Sequence, residues 1–195
     1  MENFGFYGEL GLLHVLDPQG YDHVLFLIAL ALPFGWGQWK RVFWLATLFT
    51  AAHCLSLGLA AFEVVQVDSG IVEFLIPVTI FLTALFNLFL TAPSAQQDAA
   101  FRTHLVSTGL FGLIHGLGFS NYFRMLMSGE TEKAGPLFGF AMGIEAAQLL
   151  VLVVVLTLSY LVLDRLGVSR KGFIRIGSAG IMAVSLMLIF RAWPF

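Results

Sequence analysis

Charge is what this chain has least of. Only 11% of its 195 residues are Asp, Glu, Lys or Arg, against about 25% in a soluble domain. So few charges cannot cover a water-facing surface. Apolar residues make up 58% and the mean hydropathy is +0.88. A soluble domain is excluded, and the chain reads as an integral membrane protein. Cysteine is nearly absent too. Cys54 stands alone, which excludes an internal disulfide and gives no redox-compartment signal. The opening stretch MENFGFYGELG holds no Lys or Arg, so it lacks the basic region of a cleaved signal peptide and reads as mature protein. The net charge is −2, and nucleic acid is not an expected partner. There is no CxxCH haem attachment, no P-loop and no GxSxG elbow. Internal repeats and long low-complexity linkers are missing as well, so residues 1–195 are expected to form a single integral membrane domain.

What is there is long apolar sequence. A spanning helix needs about 20 mostly apolar residues, and six candidates fit: Leu10 to Phe34, Arg41 to Phe62, Gly70 to Leu90, Thr103 to Phe123, Gly135 to Leu163 and Ile174 to Trp193. The expected fold is therefore all-α, a polytopic transmembrane bundle of about six spans. The first candidate is interrupted by Asp17-Pro18-Gln19-Gly20. Pro18 removes a backbone donor and Gly20 is a poor helix former. Either the first span is a broken helix, or residues 1–20 form an interfacial segment ahead of a helix that starts at Tyr21. Cytoplasmic loops concentrate Lys and Arg. The 1–2, 3–4 and 5–6 connectors with their helix ends hold Lys40, Arg41, Arg102, Arg165, Arg170, Lys171 and Arg175; the other side holds Arg124, Lys133 and Arg191. Both termini are therefore expected outside.

Ionisable groups inside a membrane are costly and mark sites. Here they are His14, Asp22, His23, His53, Glu73, His115 and Glu145. At ~1.5 Å per residue, His53 and His115 lie ~18 Å from the inner surface and Glu145 ~15 Å from the outer one. All three fall in one layer, with His14, Asp22 and His23 at or above it. Separate helices thus bring imidazoles and carboxylates to one level, a donor set suited to a borderline divalent cation such as Zn, Ni, Co or Fe. The duller reading of any one histidine is a hydrogen bond to a neighbouring helix. Asp22 and His23 point ~100° apart on a helix, so one can bind metal while the other orients a partner. Gln148 shares a helix face with Glu145, and Gln148 and Glu73 are placed in an outer shell. Glu73 also reads as an interfacial acid at a helix start. His104 reads as interfacial and Cys54 as packing. Gly112, Gly116 and Gly118 flank His115, and small residues allow close helix approach.

The stretches GYDHVLFLIALAL, FTAAHCLSLGLA, VEFLIPVTIFLTALFNL, FGLIHGLGF and FGFAMGIEAAQLL resemble, in order, the HupE/UreJ family of hydrogenase and urease accessory membrane proteins. The resemblance implies a multi-helix protein of the bacterial inner membrane that permeates nickel or cobalt and supplies metallo-enzyme maturation partners. His14, Asp22, His23 and His115 match the family's histidine before an Asp-His pair and its downstream His-Gly motif. There are two departures. Seven residues separate His14 from Asp22, wider than expected for the family, and Cys54 replaces the usual serine after the second-helix histidine.

Three functions fit the residues. The first is permeation of Ni, Co or Zn through a site in the outer half built by His14, Asp22, His23, His53, His115 and Glu145. The second is an intramembrane zinc hydrolase acting on a lipid or hydrophobic peptide. In it His23, His53 and His115 are ligands, and Asp22 or Glu145 is the general base beside a metal-activated water. The third is a metal-binding accessory or sensor. Against permeation stands the plainness of the inner half, whose main polar groups are Thr47, Thr50, Thr83, Asn87, Ser107, Thr108 and Ser178.

Overall fold

A computed structural model describes residues 3–89, 97–130 and 132–194, the side chains of 97–100 excepted. The start of the TAPSAQQDAAFR connector and Leu90 lie outside these residues. All regular structure among the described residues is helical: α1 (Phe4–Leu16), α2 (Asp22–Ala31), α3 (Trp39–Ala61), α4 (Ser69–Phe89), α5 (Gln97–Gly118), α6 (Ser120–Leu126), α7 (Ala134–Tyr160) and α8 (Arg170–Arg191), with short 3-10 and π turns between them. Four helical stretches are long and apolar enough to cross a membrane: Trp36–Ala61, Ser69–Phe89, Ala134–Arg165 and Arg170–Arg191. α5 is as long but less apolar, because it carries Arg102, His104, Ser107, Thr108 and His115.

The first apolar stretch is two short helices, α1 and α2, with a break between them. Asp17 Oδ1 accepts the Gln19 N–H at 2.8 Å, and the Asp17 carbonyl accepts the Gly20 N–H at 3.1 Å. This local turn satisfies backbone that Pro18 prevents from continuing as helix. α1 then lies flat on the first half of α7. Gly8 abuts Gly143, and Gly11 abuts the Phe140 carbonyl, so two glycine-lined faces meet at backbone distance. Phe4 also sits against Phe138, with centroids 6.1 Å apart, so α1 and α7 start at the same end and run the same way. α2 continues in that direction. Its far end meets the start of α8, where Arg170 Nη2 donates to the Pro33 carbonyl at 2.8 Å.

The other crossings alternate. Lys133 Nζ donates to the Ala61 carbonyl at 3.1 Å, joining the end of α3 to the start of α7. Phe74, near the start of α4, meets Trp193 edge-on at 5.4 Å. Both described termini therefore lie at one end of the bundle. α3 packs on α5 and α4 on α8, around a core that includes Phe26, Leu30, Phe49, Leu57, Phe140 and Ile144.

The fourth span differs from its expected form. It stops at Gly118 and resumes as the short α6 at Ser120. Phe119 turns out of the helix and stacks face to face on Phe140, with centroids 5.4 Å apart and planes 2° apart. Its ring also lies 4.2 Å from that of His14. Ser120 Oγ donates to the Leu117 carbonyl at 2.6 Å and caps the break.

Candidate metal centre

The break between α1 and α2 builds the site. It ends α1 just after His14 and starts α2 at Asp22, and the rings of His14 and His23 come to 4.5 Å between centroids. His53, from the middle of α3, lies 5.7 Å from each of them. One ring nitrogen from each of His14, His23 and His53 can be chosen so that all lie within 4.8 Å of one another. His115, in the last turn of α5, joins from the far side with its ring 5.6 Å from that of His23. His53 can approach because Gly116 on α5 rests directly on its backbone carbonyl.

The protons on two rings follow from their partners. Nδ1 of His23 faces Asp22 Oδ1 at 3.2 Å. An ionised carboxylate only accepts, so this contact favours the proton on Nδ1, which in the neutral ring leaves Nε2 its lone pair. Nδ1 of His115 lies 2.8 Å from the Phe111 carbonyl, which fixes the same tautomer there. Such orienting bonds are typical of metal-binding histidines. The free side of every ring is then an unmet acceptor or donor. Nε2 of His14, His23 and His115 and both nitrogens of His53 are buried without a hydrogen-bond partner. Leaving a buried polar group unpaired costs about 1–3 kcal/mol. Several in one place fit a bound cation far better than apolar packing.

The site has an open and a closed side. A cleft of about 420 Å³, lined by Leu10, Leu13, His14, Asp17, Phe119 and Tyr122 among others, reaches His14, the one histidine of the site that lines it. On the other side Phe26 and Phe49 pack 4.8 Å apart. Their rings lie 5.4 Å and 5.0 Å from His115. Both fall on the side of the histidines away from the described termini, three residues after His23 and four before His53.

Residues 1–192 match the family described as HupE / UreJ protein. The chain belongs to the HupE/UreJ family. Comparisons with curated proteins and with solved structures match nothing. In this HupE/UreJ protein His14 and His23 form the three-histidine group with His53, while Asp22 holds His23 at 3.2 Å and His115 lies beside the group but outside it.

Other expected residues stand elsewhere. Glu145 lies in the α3–α7 seam, where Thr47 and Thr50 hydroxyls each donate to it at 2.6 Å. Gln148 joins that seam, its oxygen 3.3 Å from Thr50 Oγ1. Glu145 is not part of the three-histidine group. Glu73 is exposed at the start of α4, and Cys54 is partly buried in packing. His104 is 0% exposed, because Phe34 and Phe86 close over it at 5.5 Å and 5.4 Å. Sequence reasoning missed the Gly8 and Gly11 face that seats α1, although the GxxG spacing was visible.

Proposed function

We propose that this HupE/UreJ protein binds a divalent transition-metal cation and passes it across the bacterial inner membrane. Nickel or cobalt is the cargo by family role, and zinc suits the same nitrogen ligands. The observation that supports this reading is the set of bare, buried ring nitrogens of His14, His23, His53 and His115, held between an open cleft and a phenylalanine pair. Asp22 orients His23 and supplies the negative charge. A site reachable from one side and shut on the other is the arrangement alternating access needs. Loop charge favours both termini outside. Cargo delivered inside would serve a metallo-enzyme maturation partner.

The hydrolase reading is weaker on the same geometry. Its general base would be Asp22 or Glu145. Asp22 Oδ1 is committed to His23, and both Glu145 oxygens are committed to Thr47 and Thr50. The test is uptake of labelled nickel or cobalt by proteoliposomes holding the purified chain, with His53→Ala as comparison. Saturable uptake lost in the variant is expected. Tight equimolar binding with uptake no faster than in empty vesicles would overturn permeation in favour of the accessory reading.

A further inference from the structure

One acid inside the bundle takes no part in the centre. Glu145 lies within the apolar stretch Ala134–Arg165, half-buried in the seam between α3 and α7. Both its partners are hydroxyls. Thr47 Oγ1 donates to one carboxylate oxygen and Thr50 Oγ1 to the other, each at 2.6 Å. An ionised carboxylate inside a membrane is costly and marks a function, and no cation is bonded to this one. The basic residues of α3 are Lys40 and Arg41 at its start, and Arg41 turns to the Phe101 ring on α5 at 5.1 Å. On α7 itself no other charge lies between Lys133 and Asp164. From α3 the titratable group that faces Glu145 is the Cys54 thiol. α1 and α2 also pack on α7. Glu9 of α1 is exposed, and His14, Asp22 and His23 interact with one another and with His115. The turn Trp36–Gln38, packed on the same helix, holds no ionisable group.

The seam is short of protons. Each threonine hydroxyl carries one and faces two acceptors. Thr47 faces Glu145 and, at 3.1 Å, the Phe43 carbonyl. Thr50 faces Glu145 and, at 3.3 Å, the oxygen of Gln148, whose side chain is 0% exposed. With Glu145 ionised, the two short bonds take both protons and Gln148 Oε1 keeps only the long contact. A proton on Glu145 mends this. The carboxyl O–H donates to Thr50 Oγ1, and the Thr50 proton turns to Gln148. The same helix borders the metal path. Thr50 directly follows Phe49 of the phenylalanine pair and precedes His53 by three residues.

We infer that Glu145 is the protonation site through which an inward-moving proton is coupled to passage of the metal. This rests on the permeation reading. The proton comes from water on the side from which the centre is reachable and returns to water on the other side. Between the two events it is held as the carboxyl O–H bonded to Thr50. The carboxylate gains and loses one proton per cycle, and nothing else is consumed. Its loading rearranges the seam beside Phe49, the side chain that closes the path.

Proteoliposomes holding the full chain test this, with cobalt as cargo and potassium with valinomycin clamping the membrane potential. In wild-type vesicles cobalt entry should acidify the lumen, and an alkaline lumen at unchanged outer pH should speed entry severalfold. Glu145→Gln should still bind cobalt, which certifies folding, and admit it, with no lumen acidification and no response to the gradient. Glu145→Asp keeps a carboxyl and should retain part of the proton movement, which a merely structural role for the seam does not predict. Cobalt entry without proton movement in wild type, or proton movement unchanged in Glu145→Gln, overturns the inference. If wild-type vesicles take up no cobalt, permeation fails instead. Infrared spectra in detergent then read the acid directly. Acidification should raise a carboxyl C=O band that Glu145→Gln lacks, and absence of that difference overturns the protonation site as well.

Discussion

Gly116 of α5 lies directly against the backbone carbonyl of His53 on α3. A Cβ there would overlap that oxygen and Ser56 Oγ, and Ser56 is itself bonded to the same carbonyl at 3.0 Å. The two helices would have to part, and His53 would move with α3. Gly116→Ala is therefore expected to destabilise by about 1–3 kcal/mol, the range for overpacking, and to weaken metal binding. Gly109 on the same helix is the control, since its nearest neighbour would be Leu48 Cδ2 at 4.0 Å. Gly109→Ala should be neutral or stabilising by up to about 1 kcal/mol through helix propensity. Thermal unfolding in detergent, with and without nickel, reads both. Equal midpoints for the two variants would sink the close-packing argument.

Asp22→Asn and Glu145→Gln should behave differently although both neutralise an intramembrane acid. Asp22 holds the His23 tautomer through the 3.2 Å contact, and loss of such a carboxylate costs about 10–100-fold in metal affinity. Glu145 meets two hydroxyl donors at 2.6 Å, and a Gln oxygen can still accept one of them. Glu145→Gln should keep the metal stoichiometry and change affinity little. Competition titration with a chromophoric chelator measures both. Equal losses would mean that Glu145 reaches the cation after all.

Much of the fold is legible in the residues alone. Composition and hydropathy yield the helical membrane class, and Pro18 with Gly20 marks the break. Asp22 beside His23 in apolar sequence marks the site, because an ionisable pair in oil is too costly to keep without a use. Depth counting puts His53 and His115 at one level, but depth says nothing of rotation. Glu145 shares their layer and faces a different seam, a distinction set by which helix α7 meets at that turn. The burial of His104 is not legible for a related reason. Its sequence neighbour Arg102 signals the interface, while its burial comes from Phe34 and Phe86 on other elements. Tertiary neighbours of this kind have no local signature.

Phe26 and Phe49 are each 1% exposed and stand where the cation would have to pass. Phe49 also faces the rings of His53 and His23, at 5.9 Å and 6.4 Å, so it has two conceivable jobs. If it mainly holds the histidines in place, Phe49→Leu should lower affinity and uptake together. If it mainly closes the path, the smaller side chain should raise the uptake rate while leaving affinity nearly intact. The second outcome is expected, because two of the rings are fixed by other means: His23 by Asp22, and His115 by the Phe111 carbonyl. His53 is further held from behind through the contact of its carbonyl with Gly116. Loss of packing should cost about 1 kcal/mol, small enough for the variant to fold. Initial uptake rates in proteoliposomes, set beside a binding isotherm from the same preparation, separate the two jobs. A parallel fall in both would remove Phe49 as the barrier and leave Phe26 to be tested alone.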